Sequence, residues 1–577
     1  MPDLISLISN LNLPSNILFD IAIIIIVATL FAYLAKFFKQ PLILAYILTG
    51  LIIGPFYLGL IKDLDLIRAL AEIGVAFLLF VVGLELNFKK IKEVGFVVSF
   101  SGIIKIVILS GLGYFIALLF GFVKLEAFYL ASILAFSSTA IVIQLLSNKR
   151  EIDTLHGKIL IGILILEDII AILLLAILST ETFNSIILVN SLLKGIILLI
   201  FSIIISTFIL PSLFAFAAKS QELLFLSAVA TVFFFSFTSY FIGFSIVIGA
   251  FIAGVTLANL PYNLDIIGEV KPLRDFFMTI FFVSLGMQLS FTNFNSILIP
   301  LIIFLALILI VKPIIITSLV SLSGYKKRTS FLSGIYLAQI SEFSLILISQ
   351  AFILGHVSQE LFSLTVLIAI ITMIISSYYI QFSNRIYNTF SGILGIFDKL
   401  PTHREELEYS PEIKNPIILI GGHRTGRIII DTLKKLKTNL LVIDYHPDII
   451  RILMNQKVPC IYGDATNLEI RERIDFKNAK MIISTVNDKE TNLNIIKYAK
   501  KINPKITIFV STIHMHEAKE FYKNKADYVI LPHILTGERI SHILESLIKK
   551  KSTVKDIRRS HLEQLNLFSK RFFQLTK

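Results

Sequence analysis

The sequence predicts two fold classes in series: a polytopic α-helical membrane domain with about 13 spans and an inverted repeat, then an α/β Rossmann-like domain. Three observations carry this reading. Of 577 residues, 55% are hydrophobic and only 16% charged, where soluble domains run near ~25% charged. The charge is divided unevenly, with 21 Lys/Arg and 19 Asp/Glu in residues 1–390 but 32 and 21 in residues 391–577. Past residue 415, short β-like runs alternate with helical stretches.

A spanning helix needs roughly 20 mainly apolar residues. Such stretches centre on residues 16–36, 41–61, 68–88, 95–121, 127–147, 157–180, 193–217, 222–241, 245–260, 273–290, 296–323, 329–353 and 360–382. The first lacks a basic leader and is read as an uncleaved span. The odd-numbered connections carry 14 basic residues, among them Lys89, Lys90, Lys92, Lys326, Lys327 and Arg328, against 4 in the even-numbered ones. The positive-inside rule then puts the odd connections and the C-terminal domain in the cytoplasm of a multi-pass cell-membrane protein. Cys460 is the lone cysteine, so neither an intrachain disulfide nor a cysteine metal cluster is available, and no metal cofactor is expected.

Ionisable residues at membrane depth are costly and mark function. Glu167 and Asp168 sit side by side in an otherwise apolar stretch, and Lys312 lies near the middle of another. Adjacent helical positions point about 100° apart, so one carboxylate can face a hydrated cavity while its neighbour faces protein. Lys312 is expected to pair with one of them. Lys105 is less deep and is left unassigned; Glu72, Glu85 and Glu342 fit structural and functional roles equally. Ser137-Ser138-Thr139-Ala140 and Ala338-Gln339-Ile340-Ser341-Glu342 read as polar interruptions in the fifth and twelfth stretches. Interruptions at corresponding places in two halves point to an inverted-repeat transporter with its site at the midplane.

Gln40-Pro41, Gly50, Gly54-Pro55, Gly83-Leu84-Glu85-Leu86, the Ser137–Ala140 string, Gly249-Ala250-Phe251-Ile252-Ala253-Gly254 and Phe282-Val283-Ser284-Leu285-Gly286-Met287 together resemble the monovalent cation:proton antiporter-2 family. The similarity is to its Kef-type branch and covers about residues 15–535. It implies a sodium/proton-antiporter-like fold, exchange of K+ or Na+ for H+, and Asp168 as the carboxylate that binds cation and proton. Glu167, Lys312, Ser138, Thr139 and Gln339 complete the expected ion site. Kef-type members usually carry Gln-Asp, and sodium/proton relatives Asp-Asp, where this chain has Glu167-Asp168.

In the second domain, Ile417 to Arg427 reads as a strand, a Gly-rich turn and a helix start. Gly421 would make the turn and Gly426 would let helix close on strand. His423 stands where a second Gly is usual, followed by Arg424. Asp444 ends the next strand, 23 residues after Gly421, placed to accept from a ribose. Asp464 follows the third. The set resembles the RCK-type (TrkA N-terminal) domain, which implies a regulatory adenine nucleotide: NAD(H), AMP, ADP or ATP.

The domain reading is therefore 1–387 transmembrane, 388–414 linker, 415–535 nucleotide-binding, and 536–577 C-terminal helix and basic tail. The tail lacks interleaved aromatics, so lipid head groups rather than nucleic acid are its expected neighbours. The resemblance and an apolar face at Ile540, Ile543, Leu544 and Leu547 imply a homodimer. The expectation is a secondary transporter and not an enzyme. An RCK-gated potassium channel would need a carbonyl selectivity filter of the Thr-Val-Gly-Tyr-Gly kind, and a membrane-anchored NAD-dependent oxidoreductase would need a catalytic set beside the dinucleotide fold.

Overall fold

The computed structural model describes residues 17–573 except 56, 62–63, 86–94, 150, 153, 179–184, 291–293, 400–407, 410–414, 464, 466–469, 472–473 and 550–552. The chain divides into two compact units, one holding nearly all of residues up to Thr402 and the other running from His403.

Among the described residues, the first unit is built of helices. Its elements are α1 (Ile17–Phe37), α2 (Leu42–Ile53), α3 (Leu64–Glu85), α4 (Gly95–Leu119), α5 (Lys124–Ala135), α6 (Thr139–Lys149), α7 (Leu155–Leu178), α8 (Ser185–Phe208), α9 (Leu210–Ala217) and α10 (Gln221–Ile242). Then come α11 (Ile246–Leu257), α12 (Asn263–Met287), α13 (Phe294–Ala306), α14 (Lys312–Leu322), α15 (Lys327–Tyr336), α16 (Glu342–Ile353), α17 (Gln359–Gln381) and α18 (Ser383–Phe390).

Among the described residues, seven helical stretches are long and apolar enough to cross a membrane, eight if the bent pair α8–α9 is one span. The thirteen expected stretches therefore do not each fold as one long helix. The second and ninth become α2 and α11, each 12 residues long. The twelfth splits into α15 and α16, and the fifth into α5 and α6 around residues 136–138. Both expected interruptions are real breaks.

The resemblance-bearing glycines serve helix packing. A Cβ on Gly50 would run into the Val283 carbonyl oxygen, and one on Gly286 into that of Ile47, so α2 and α12 cross backbone to backbone. Gly83 and Gly254 meet in the same reciprocal way where α3 crosses α11. Close approach through small residues is how helices associate where lipid removes the hydrophobic drive.

Between α13 and α14 the helix widens to a π segment, Leu307–Val311, and the Lys312 N–H bonds the Leu307 carbonyl. Pro313 gives the cause: it has no N–H, and its ring crowds the carbonyl four residues back.

The second unit is built on a seven-stranded sheet of order β1-β4-β3-β2-β5-β6-β7. The strands are β1 (Glu408–Tyr409), β2 (Ile417–Ile420), β3 (Leu440–Asp444), β4 (Cys460–Tyr462), β5 (Met481–Ser484), β6 (Thr507–Ser511) and β7 (Tyr528–Ile530). All pairings are parallel except the edge pair β1–β4. The alternation of short strands with helices is the one expected past residue 415. β1 was not expected, because it falls inside the stretch read as linker. The intervening helices are α19 (Arg424–Lys435), α20 (Pro447–Asn455), α21 (Lys489–Ile502) and α22 (Met515–Lys523), with α23 (Pro532–Ile548) and α24 (Val554–Phe573) after the sheet. Side chains alternate across β2: Ile417 and Leu419 join one buried cluster with Val442 and Ile450, Ile418 and Ile420 another with Ile482 and Ile508. A sheet covered on both faces explains these near-continuous apolar runs.

Candidate functional site

The two breaks in the helical unit bring half-helix ends of both kinds together. At the start of α6, the Ser138 hydroxyl accepts from the Ile141 N–H at 3.2 Å and donates to Glu342 Oε1 at 2.7 Å. At the start of α16, the Ser341 hydroxyl accepts from the Phe343 N–H at 3.1 Å. Glu342, the first residue of α16, thus stands at both half-helix N-termini, as their dipoles favour. The Lys312 ammonium donates to the carbonyls of Leu134 at 3.2 Å, Phe136 at 3.0 Å and Gln339 at 2.8 Å. It therefore serves the chain ends that α5 and α15 leave without helical partners.

That geometry corrects one expectation. Lys312 is fully buried and makes no ion pair with a carboxylate among the described residues; it is held by three carbonyl oxygens. The buried ion pair belongs to Lys105 and Glu167. Sequence reasoning left Lys105 out as too shallow. A lone cation in an apolar helix, with two adjacent carboxylates elsewhere, was the signal that could have found it.

Asp168 is buried and takes the Thr139 hydroxyl, 3.0 Å from Oδ1 and 2.9 Å from Oδ2. Thr139 is half-buried. The fields of Glu167, Glu342 and Glu85 all reach Asp168. Gln339 stands apart from that carboxylate: its carbonyl serves Lys312, and its side-chain oxygen accepts from Ser376 at 2.5 Å. Glu72 lines a separate, mainly apolar crevice with Arg68, Val75, Phe281, Gln288 and Ile346.

The turn between α6 and α7, outside the spanning helices, carries Glu151. His156 Nε2 lies 3.2 Å from its carboxylate, and the Tyr336 hydroxyl donates to it. Burial alone would raise this carboxyl. The bond and charge of His156, the charge of Lys149 and the Tyr336 bond outweigh burial and hold it at about 2.

In the second unit, Gly421 takes φ +91° at the end of β2, a conformation costly for other residues. A Cβ on Gly426 would run into the Gly421 carbonyl. Turn and helix can close only with both glycines, as expected. Asp444 is buried, and its Oδ2 accepts the Gly422 N–H at 2.6 Å while Oδ1 accepts the His446 N–H at 2.8 Å. The carboxylate thus braces the Gly-rich turn. His423 precedes α19, exposed, with its ring 6.0 Å from that of His446, and Arg424 opens the helix. Asp464 lies outside the described residues.

Comparison with known proteins completes the picture. Residues 23–382 match the family model described as sodium/hydrogen exchanger, transmembrane. The chain belongs to this sodium/hydrogen exchanger family. Residues 417–532 match the TrkA-N domain. Relatives of the chain include K(+) efflux antiporter 5 of Arabidopsis thaliana, 33% identical over 59% of this chain and 62% of the relative. The glutathione-regulated potassium-efflux system protein KefC of Salmonella schwarzengrund is 26% identical over 81% of this chain and 75% of that protein. The chain thus spans about three-fifths of the length of the plant relative. Among solved structures, the sodium proton antiporter MjNhaP1 of Methanocaldococcus jannaschii aligns at 16% identity, covering 66% of this chain and 97% of that one, with a TM-score of 0.45.

Proposed function

We propose that the protein is a secondary antiporter of the cell membrane that exchanges a monovalent cation, K+ ahead of Na+, for H+. The observation that carries this reading is Asp168, a buried carboxylate held, among the described residues, only by the Thr139 hydroxyl, beside the crossing of two broken helices. One carboxylate cannot hold a proton and a cation together, so binding of either displaces the other and coupling follows. Thr139 and Ser138 set the polar wall, Lys312 and the Gln339 carbonyl keep the breaks in place, and exchange needs no covalent chemistry. The names of the relatives favour K+ over Na+, and the basic connections favour a cytoplasmic second unit.

The TrkA-N unit, in the same reading, binds an adenine nucleotide and reports its presence to transport without turning it over. Gly421, His423, Arg424 and Gly426 would hold phosphate at the start of α19, where free N–H groups and the dipole favour anions. Asp444 spends one lone pair per oxygen on the turn and keeps others for a ribose. Such a ligand biases transport only through contacts that differ between transport states. A second copy of the chain would cover α23, where Ile540 and Leu544 are exposed.

The test is cation-driven proton flux in proteoliposomes, K+ against Na+, with Asp168→Asn. Loss of flux in a folded Asp168→Asn protein is expected, and substantial remaining exchange would remove Asp168 from the mechanism. Calorimetry of the full chain with NAD(H), AMP, ADP and ATP tests the second unit. Absence of binding at millimolar nucleotide would defeat the sensor reading.

A further inference from the structure

We infer that Lys105 and Glu167 form a neutral lock that positions the first helix break, leaving Asp168 as the single carboxylate that exchanges cation for proton. The inference rests on the exchange reading above and assigns its stoichiometry, one cation per proton.

Glu167 is fully buried; Oε1 pairs with the Lys105 ammonium and Oε2 accepts the Ser137 N–H at 2.6 Å. Both oxygens are therefore engaged by charge-assisted bonds, the strong kind. Asp168, the next residue, shares a single hydroxyl between its two oxygens. A helix turns about 100° per residue, so the two carboxylates enter different surroundings.

The lock also spans the fold. Lys105 on α4 donates to the Ser137 hydroxyl at 3.3 Å, and that hydroxyl donates to the Leu337 carbonyl at 3.3 Å. Four segments meet there: α4, α7, the break before α6 and the break after α15. Two residues further on, Thr139 holds Asp168. The 137–139 segment is thereby pinned to α7 through both carboxylates, and Glu167 sets where the Asp168 partner stands. Lys105 is a positioning residue, since it reaches Asp168 only through Glu167 and Ser137.

The charge count follows. Lys105 and Glu167 cancel in every state. Lys312 bonds carbonyls and not a carboxylate, so cation entry breaks no Lys312 ion pair and releases no second proton from it. In this count Glu342, tied to Ser138, and Glu85 keep their protonation through the cycle, and Asp168 is neutralised once, by a proton or by a cation.

Proteoliposome exchange by the full chain tests this with Lys105→Met, Lys105→Arg and the double variant Lys105→Met/Glu167→Gln. Lys105→Met strands a buried carboxylate beside Asp168. Its exchange is expected to fall at least about tenfold, with the pH profile moved to higher pH. Lys105→Arg should keep exchange, and the double variant should recover part of it with the parental pH profile, because a glutamine at position 167 buries no charge and can still accept the Ser137 N–H. A folded double variant as inactive as Lys105→Met would overturn the inference, as would a Lys105→Met protein with unchanged rate and profile. On the unmodified protein, the cation gradient that nulls a set pH gradient gives the ratio directly, whether or not the variants fold. A ratio of one is expected, and a ratio of two overturns the lock. Absence of all exchange by the unmodified protein would instead count against the antiporter reading itself.

Discussion

The Ser138 hydroxyl donates to the Glu342 carboxylate at 2.7 Å, so the N-cap of one half-helix is tied to the first residue of the other. Ser138→Ala removes the cap of α6 and the Glu342 partner together. Loss of an N-cap costs about 1 kcal/mol, and a buried carboxylate deprived of its donor adds to that. Thermal unfolding in detergent should show the drop, and Ser138→Thr should restore most of it. Equal stability of Ser138→Ala and the parent would show that the tie carries nothing.

Lys312 is the common donor for three carbonyls drawn from both breaks. Lys312→Met leaves those oxygens without it in a buried site, and a destabilisation of at least about 2 kcal/mol is expected. Adding Asp168→Asn should not relieve this loss, because the ammonium answers carbonyls and not that carboxylate. Relief by the second change would restore the ion pair expected from the sequence.

Gly286 has no room for a side chain, since its Cβ would collide with the Ile47 carbonyl. Gly286→Leu must push α12 off α2, and a loss of about 3 kcal/mol or more is expected. Gly111→Ala is the matched control: its Cβ meets nothing within 4 Å, and helix propensity favours Ala by about 1 kcal/mol. Comparable losses in both variants would contradict the close-crossing account.

The Glu151 carboxyl, held at about 2 against an ordinary 4.5, links stability to acid. A depressed carboxyl stabilises the fold fully above 4.5 and loses that contribution as pH falls toward 2. Glu151→Gln should therefore cost about 3 kcal/mol at neutral pH and flatten the acid limb of the stability curve between those values. A parallel acid limb in both proteins would show that Glu151 is not the group responsible.

How much of this was legible follows from the range of each interaction. The breaks were visible because Ser137–Ala140 and Ala338–Glu342 are polar strings inside apolar stretches, a local signal. The strands of the second unit were visible for the same reason, as short apolar runs between turn residues. The partners of Lys105 and Lys312 were not, since the pairs lie 62 residues apart for Glu167 and 178 and 176 for Leu134 and Phe136. Mid-span depth suggested that Lys312 needed a carboxylate. A helix break supplies carbonyl oxygens instead, and no sequence pattern distinguishes the two. Nor did composition separate the glycines that pack helices from the polar residues of the breaks.

The position of Lys312 also sets the order in which the chain can be completed during synthesis. Leu134 and Phe136 emerge long before Lys312, which then supplies their carbonyls with a donor from the other half of the fold. A nascent chain ending near α12 holds a first break whose carbonyls lack that donor in a medium with little water to replace it. The half-made protein is thus an unfinished membrane insert and not a smaller working one until α14 arrives.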